Sequence, residues 1–107
     1  MDMDLPATFE AFMDTLEGDS PQAGWSPELR SLWFDAKGDW EASHEIAQDI
    51  PGRTGSWIHA YLHRKEGDRW NAGYWYRSAG QPFPECSLEA EFRELVDAFL
   101  SANTPGR

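Results

Sequence analysis

Two glycine–aspartate pairs, Gly38-Asp39 and Gly67-Asp68, stand 29 residues apart, each between stretches with a helical apolar period. Glycine ends a helix in a left-handed conformation that other residues resist, and aspartate can cap the next helix with its side chain. A two-residue link leaves no slack, so the helices on either side must run antiparallel. The pairs therefore predict two helical hairpins, over residues 26–50 and 55–79. No segment alternates apolar and polar residues with period two, and no Asn-Gly hairpin turn occurs, so nothing competes for a sheet.

The flanking segments read the same way. Phe9, Phe12, Met13 and Leu16 recur at helical spacing, and Gly18 stands where a cap belongs. A polar loop follows to Gly24. Ser26-Pro27-Glu28 is a helix start: a side-chain acceptor, a residue without an N–H, and a carboxylate at the positive helix end. Leu29, Leu32, Trp33 and Ala36 make its apolar stripe. The third helix, 39–50, should turn Trp40, Ala42, Ile46, Ala47 and Ile50 inward, and Pro51-Gly52 should break it. The fourth should run from Gly55 to Glu66 and the fifth over 68–79. Aromatic residues lie nearly all round that fifth helix, which predicts packing on two sides. Ser87 should cap a last helix, 88–102, whose Leu88, Phe92, Leu95 and Phe99 are expected to cover the open side of the fifth. The expectation is one all-α domain over 1–107: about six helices, two central hairpins, flanking N- and C-terminal helices, and loose ends at 1–6 and 103–107.

The 107 residues carry a net charge of -10, which argues against nucleic acid, since phosphate binding needs clustered Lys and Arg. The charge is uneven. Residues 1–50 hold twelve acids and two bases, whereas 51–84 hold two acids and five bases: Arg53, Arg64, Lys65, Arg69 and Arg77. That basic island either compensates the acidic shell or offers a face to an anion. No apolar run reaches the roughly 18 residues of a membrane span, and the acidic start lacks the order of a secretory signal. A cytoplasmic protein with no membrane association is expected. A single cysteine, Cys86, excludes an internal disulfide framework and a Cys-based zinc site. Beside Glu85 it is a poor nucleophile, and no Gly-x-Ser-x-Gly elbow or phosphate loop occurs.

The segment Gly67-Asp-Arg-Trp-Asn-Ala72-Gly-Tyr-Trp75-Tyr76-Arg-Ser-Ala79 resembles the turn and second helix of a tetratricopeptide (TPR) repeat, with Ala60 also at a small-residue position. The resemblance implies a close-packed hairpin with aromatics between neighbouring units. The first unit, Gly38-Asp-Trp-Glu-Ala42, is one residue short of the pattern, the 29-residue spacing is below the family's usual 34, and two units are fewer than a stacked array needs. Residues 44–80, with His44-Glu-Ile-Ala-Gln-Asp-Ile-Pro51, Trp57-Ile-His-Ala-Tyr-Leu-His-Arg-Lys-Glu-Gly-Asp68 and Tyr74-Trp-Tyr76, also look like a family of short uncharacterised bacterial and fungal proteins. That likeness implies no activity.

Three constellations carry potential chemistry. His59, His63 and Glu66 share one edge of the fourth helix at i, i+4 and i+7, and His44 can face them across the hairpin junction. Histidines one turn apart can reach one metal ion, and three imidazoles with a carboxylate suit a divalent metal such as zinc. The ordinary alternative is packing against Trp and Tyr with hydrogen bonds to backbone or carboxylates. Secondly, Glu41, His44, Glu45, Gln48 and Asp49 form a polar arc on the third helix, where Glu45 and Asp49 repel at i, i+4. Arg64, Lys65 and Arg77 are the available partners, which places a polar junction between helices three to five. Thirdly, Trp33, Trp40, Trp57, Trp70, Tyr74, Trp75 and Tyr76 are explained mostly as core, with a ligand platform as the alternative. The leading reading is a non-enzymatic module without a cofactor. It would bind a peptide, a protein partner or a small anionic ligand through His44, Glu45, Gln48, Trp57, His59, His63, Arg64 and Trp75. The alternative is a metal-binding protein or metal-dependent enzyme using His44, His59, His63 and Glu66, with Glu45 as base or ligand. Self-association without a small ligand is a third reading.

Overall fold

The computed structural model describes residues 5–102. Helix α1 spans Phe9–Asp14 and runs into a 3-10 turn, Thr15–Glu17. Five helices follow: α2 (Pro27–Ala36), α3 (Trp40–Gln48), α4 (Gly52–Lys65), α5 (Arg69–Ala79) and α6 (Leu88–Ala102). Among the described residues there is no strand. The described residues form an all-α fold with six helices, as expected. The loose ends proposed at 1–6 and 103–107 lie outside the described residues, apart from Leu5 and Pro6. Leu5 is half-buried and packs on the core.

The two Gly-Asp links are built identically. Gly38, at φ 89°, donates to Asp35 O at 2.9 Å, and Asp39 N donates to Phe34 O at 2.9 Å. Gly67, at φ 91°, donates to Arg64 O at 3.1 Å, and Asp68 N donates to His63 O at 2.9 Å. These paired bonds satisfy the last carbonyls of the preceding helix and need a left-handed residue at the glycine. Each aspartate then caps the next helix, Asp39 accepting from Ala42 N at 3.1 Å and Asp68 from Asn71 N at 3.2 Å. One residue thus closes one helix and opens another, which is why two residues suffice for the reversal.

The α2–α3 and α4–α5 hairpins are the most extensive helix pairings, and α3 against α4 joins them. Small residues set the separation within each. Ser31 and Ser43, both fully buried, meet between α2 and α3, where Ser31 Oγ donates to Ser43 O at 2.8 Å. Ala60 and Ala72, also fully buried, meet Tyr76 between α4 and α5. The main core draws on α1, α2, α4 and α6, with Phe12, Leu29, Leu32, Trp33, Ile58, Leu62 and Leu95 at its centre. Each such side chain contributes about 1.5–3 kcal/mol by burial.

Three expectations are corrected. Helix α4 begins at Gly52 rather than Gly55, because the extended Pro51 followed by Gly52 at φ 81° completes the reversal early. The polar arc on α3 does not close into a junction: Glu41, Glu45, Gln48 and Asp49 are exposed, and of the five only His44 is half-buried. Lastly, α6 does not cover the open side of α5. It lies against α2, α4 and α1, where Leu95, Val96 and Phe99 join the main core. Trp70 therefore stays 80% exposed and Tyr74 50% exposed, and α5 packs on one side only.

Candidate functional site

His44 on α3 and His59 and His63 on α4 converge at the hairpin junction. One ring nitrogen of each lies within 4.8 Å of the others. The helical period puts His59 and His63 on one edge, their rings stacked with centroids 4.9 Å apart. His44 comes from the facing helix, and its Nε2 lies 2.9 Å from Nε2 of His59. In the metal-free chain one of those nitrogens must carry the proton and the other must accept.

Aromatic rings and a carboxylate fix these imidazoles. His59 stacks on Trp75 of α5, centroids 4.0 Å apart and planes 9° from parallel. His44 stacks on Trp40, one turn earlier in α3, at 4.8 Å and 11°. Trp40 is itself held by its indole N–H, which donates to Leu62 O at 3.0 Å. His63 Nδ1 meets Glu66 Oε2 at 2.8 Å. A carboxylate on one imidazole nitrogen fixes the tautomer and leaves the other nitrogen free to accept or ligate.

For His59 and His44 the surroundings favour the neutral ring. Burial, then the neighbouring His44 and His63, lowers the His59 pKa from 6.5 to about 4. Burial and His63 also pull His44 down, against the opposing pull of Glu66 and Glu45. A neutral imidazole is the form that binds metal. Zinc–imidazole bonds of about 2.0–2.1 Å set ligand nitrogens about 3.3 Å apart in a tetrahedron. The His44–His59 pair is slightly closer than that, and the remaining separations are within 4.8 Å, so these three residues are the ones that could hold a zinc-class ion once the rings turn toward a common point.

The other nominated residues divide. Trp75 joins the cluster, Glu66 braces it, and exposed Glu45 stands beside it on α3, near enough to bias His44. Gln48, a turn beyond His44, is exposed. Trp57 and Arg64 belong to a different network. Glu91 of α6, 1% exposed, accepts from Arg64 Nη1 at 2.8 Å, Trp57 Nε1 at 3.2 Å and the Tyr76 hydroxyl at 2.7 Å. Arg64 also donates to Cys86 O. Although burial opposes its charge, the bond to Glu91 raises the Arg64 pKa. Burial, then Glu91, pushes the Tyr76 hydroxyl up and keeps it a donor.

Lys65 has a similar fate. It pairs at 2.9 Å with Asp35 of α2, itself 3% exposed, which also accepts from the Tyr61 hydroxyl at 2.9 Å. Arg64 and Lys65 therefore do not serve Glu45 and Asp49 as expected; buried carboxylates of α6 and α2 take them. Neither carboxylate is matched to these cations by the sequence pattern alone. The signal was present, because Asp35 lies three residues after Leu32 and Glu91 three after Leu88, on the apolar stripes of their helices.

No protein-family model, curated protein or solved structure matches this chain.

Proposed function

We propose that this protein binds a divalent transition-metal ion of the zinc class at the junction of α3 and α4, through His44, His59 and His63. The single observation that carries the reading is the convergence of three imidazole nitrogens within 4.8 Å, from two facing helices. Trp40 and Trp75 wall the cluster, and Glu66 acts as the outer carboxylate that orients His63. Three imidazole nitrogen donors favour zinc, copper, nickel or iron over magnesium or calcium, which prefer oxygen. Ordinary packing would explain one histidine against a tryptophan; it does not require three to converge.

The test is metal analysis and titration of untagged protein. Chelator-treated protein should take up one equivalent of zinc, and cobalt in its place should give the visible absorption of a nitrogen-ligated ion. The His59→Ala, His63→Ala double variant should lose both signals while keeping its helical circular dichroism. A wild-type protein that takes up no stoichiometric zinc or cobalt at neutral pH would overturn the reading.

A second reading, recognition of a peptide or protein partner, has its own support in the exposed Trp70 and Tyr74. They are one turn apart on α5, between exposed Arg69 and Arg77. Trp and Arg are enriched where partners bind. The small-residue contact of Ala60 with Ala72 is what a TPR-like hairpin would have, and it supports the same reading. Light scattering across concentrations tests one case, a second copy as partner. A mass that rises with concentration, and falls to monomer in Trp70→Ser, Tyr74→Ser, is the expected result there.

A further inference from the structure

On the opposite side of α4 from the histidines, a cleft of about 310 Å³ opens between α1, α2, α4 and α6. Its walls are apolar: Phe9 and Met13 of α1, and Leu88 and Phe92 of α6. Its floor is the Asp35 carboxylate, 3% exposed, with the Tyr61 hydroxyl on one oxygen and Lys65 Nζ on the other, each at 2.9 Å. Glu89 stands at the rim. The volume lies at the lower end of the roughly 300–1,000 Å³ usual for small-molecule sites, which are mostly apolar with a few placed polar groups.

The sign of the charge decides what the cleft accepts. Lys65 alone would invite an anion, as the basic island in the sequence suggested. Its ammonium is already matched by Asp35, and Glu89 leaves the cleft with a net negative charge. The Tyr61 hydroxyl reports the same field: burial first, then Asp35, Glu91 and Glu89, push its pKa up. Lys65 is 40% exposed in its side chain, so its ammonium can move out to solvent when another cation takes its place on Asp35. Asp35 is on a helix and cannot follow. An incoming ammonium would take the place of Lys65 on Asp35, with the Glu89 carboxylate lining the same cleft.

We propose that this cleft is a binding site for a small primary amine with an apolar tail, its ammonium on Asp35 and Glu89 and its tail among Phe9, Met13 and Phe92. The site shares no residue with the histidine cluster and stands or falls apart from it. Lys65 acts in it as a tethered competitor that the ligand displaces.

Hexylammonium, hexanol and hexanoate, titrated separately into the isotope-labelled protein and followed by nuclear magnetic resonance, test this. Hexylammonium should shift the signals of Phe9, Met13, Leu88 and Phe92 in a saturable way, with hexanol and hexanoate at least ten-fold weaker. Glu89→Gln, at an exposed position, should weaken hexylammonium several-fold. Lys65→Met keeps the aliphatic stem and should tighten it several-fold by removing the competitor. Hexanoate binding as well as the amine would identify Lys65 as an anion anchor, and Lys65→Met weakening the amine would remove its role as competitor; either result would overturn the proposal. Equal binding of hexanol would reduce the cleft to an apolar surface. Absence of any saturable shift would also overturn it. If Lys65→Met does not fold, the three-ligand comparison and Glu89→Gln decide the question.

Discussion

The imidazole of His59 lies flat on the indole of Trp75, ring centroids 4.0 Å apart, and is only 9% exposed. That burial, with His44 and His63 close by, holds its pKa near 4 instead of 6.5. The unfolded chain therefore binds a proton at this residue more readily than the folded one does. The stability gained from keeping His59 neutral is complete above pH 6.5 and is lost as the pH falls from there toward about 4. The ceiling for this one group is ~3 kcal/mol. Urea unfolding of chelator-treated protein should move to lower midpoints across that window, and His59→Gln should flatten the slope. An unchanged slope in His59→Gln would mean that other groups carry the acid sensitivity.

Glu66 meets the cluster at His63 Nδ1, at 2.8 Å, and its side chain is 40% exposed. It should matter little to folding and more to the ion. Glu66→Gln should lower zinc affinity about 10–100-fold, the usual effect of removing a carboxylate that orients a histidine ligand. Its unfolding free energy without metal should stay within about 0.5 kcal/mol of wild type. Competition with a chromophoric chelator measures the first and urea unfolding the second. An affinity that does not change would place Glu66 outside the metal's influence.

The helices were legible because their punctuation is local. Ser26, Asp39 and Asp68 cap the helices they precede, and Gly38 and Gly67 close helices at positive φ, all within a few residues of chain. The convergence of His44 with His59 and His63 was legible as a possibility, since the hairpin junction and the i, i+4 spacing both derive from sequence. What could not be read was the pairing of charges between helices distant in sequence. Arg64 reaches Glu91 and Lys65 reaches Asp35 only because α6 and α2 close on α4. A charge on an apolar stripe looks like an error of patterning until its partner is in place. The side of α5 left open was hidden for the same reason. Trp70 reads as core by composition, and only the choice of α6 to lie on α2, α4 and α1 leaves it bare.

Glu91 and Arg64 give a clean test of that buried pairing. Glu91→Leu would leave the guanidinium, the Trp57 N–H and the Tyr76 hydroxyl without their acceptor. Breaking a buried pair by removing one partner costs about 3–5 kcal/mol, much of it from the charge left behind. Glu91→Leu with Arg64→Met should therefore unfold at higher urea than Glu91→Leu alone, although it carries one more substitution. A double variant less stable than the single would show that Arg64 contributes through Cys86 O and packing instead.

Two helical glycines should respond in opposite directions. Gly55 is buried in the first turn of α4, where a Cβ would fall 2.1 Å from the carbonyl oxygen of Ile50 and 2.9 Å from its Cβ. Both are parts of the α3–α4 link that cannot swing aside, so Gly55→Ala must push α4 off that link, at a cost of about 1–3 kcal/mol. Gly73 lies in the middle of α5, and a Cβ there meets only the tip of Arg77 at 3.6 Å, an ordinary contact. Glycine inside a helix is less stable than alanine by roughly 0.5–1 kcal/mol, so Gly73→Ala should stabilise the protein by about that amount. Thermal or urea unfolding of the two variants checks both signs in one experiment. A neutral Gly55→Ala would mean that α4 does not pass as close to Ile50 as the hairpin junction requires. The junction also positions His59, one turn further along α4 from Gly55. Displacing the helix there should therefore weaken zinc binding in Gly55→Ala, whereas Gly73→Ala leaves it unchanged.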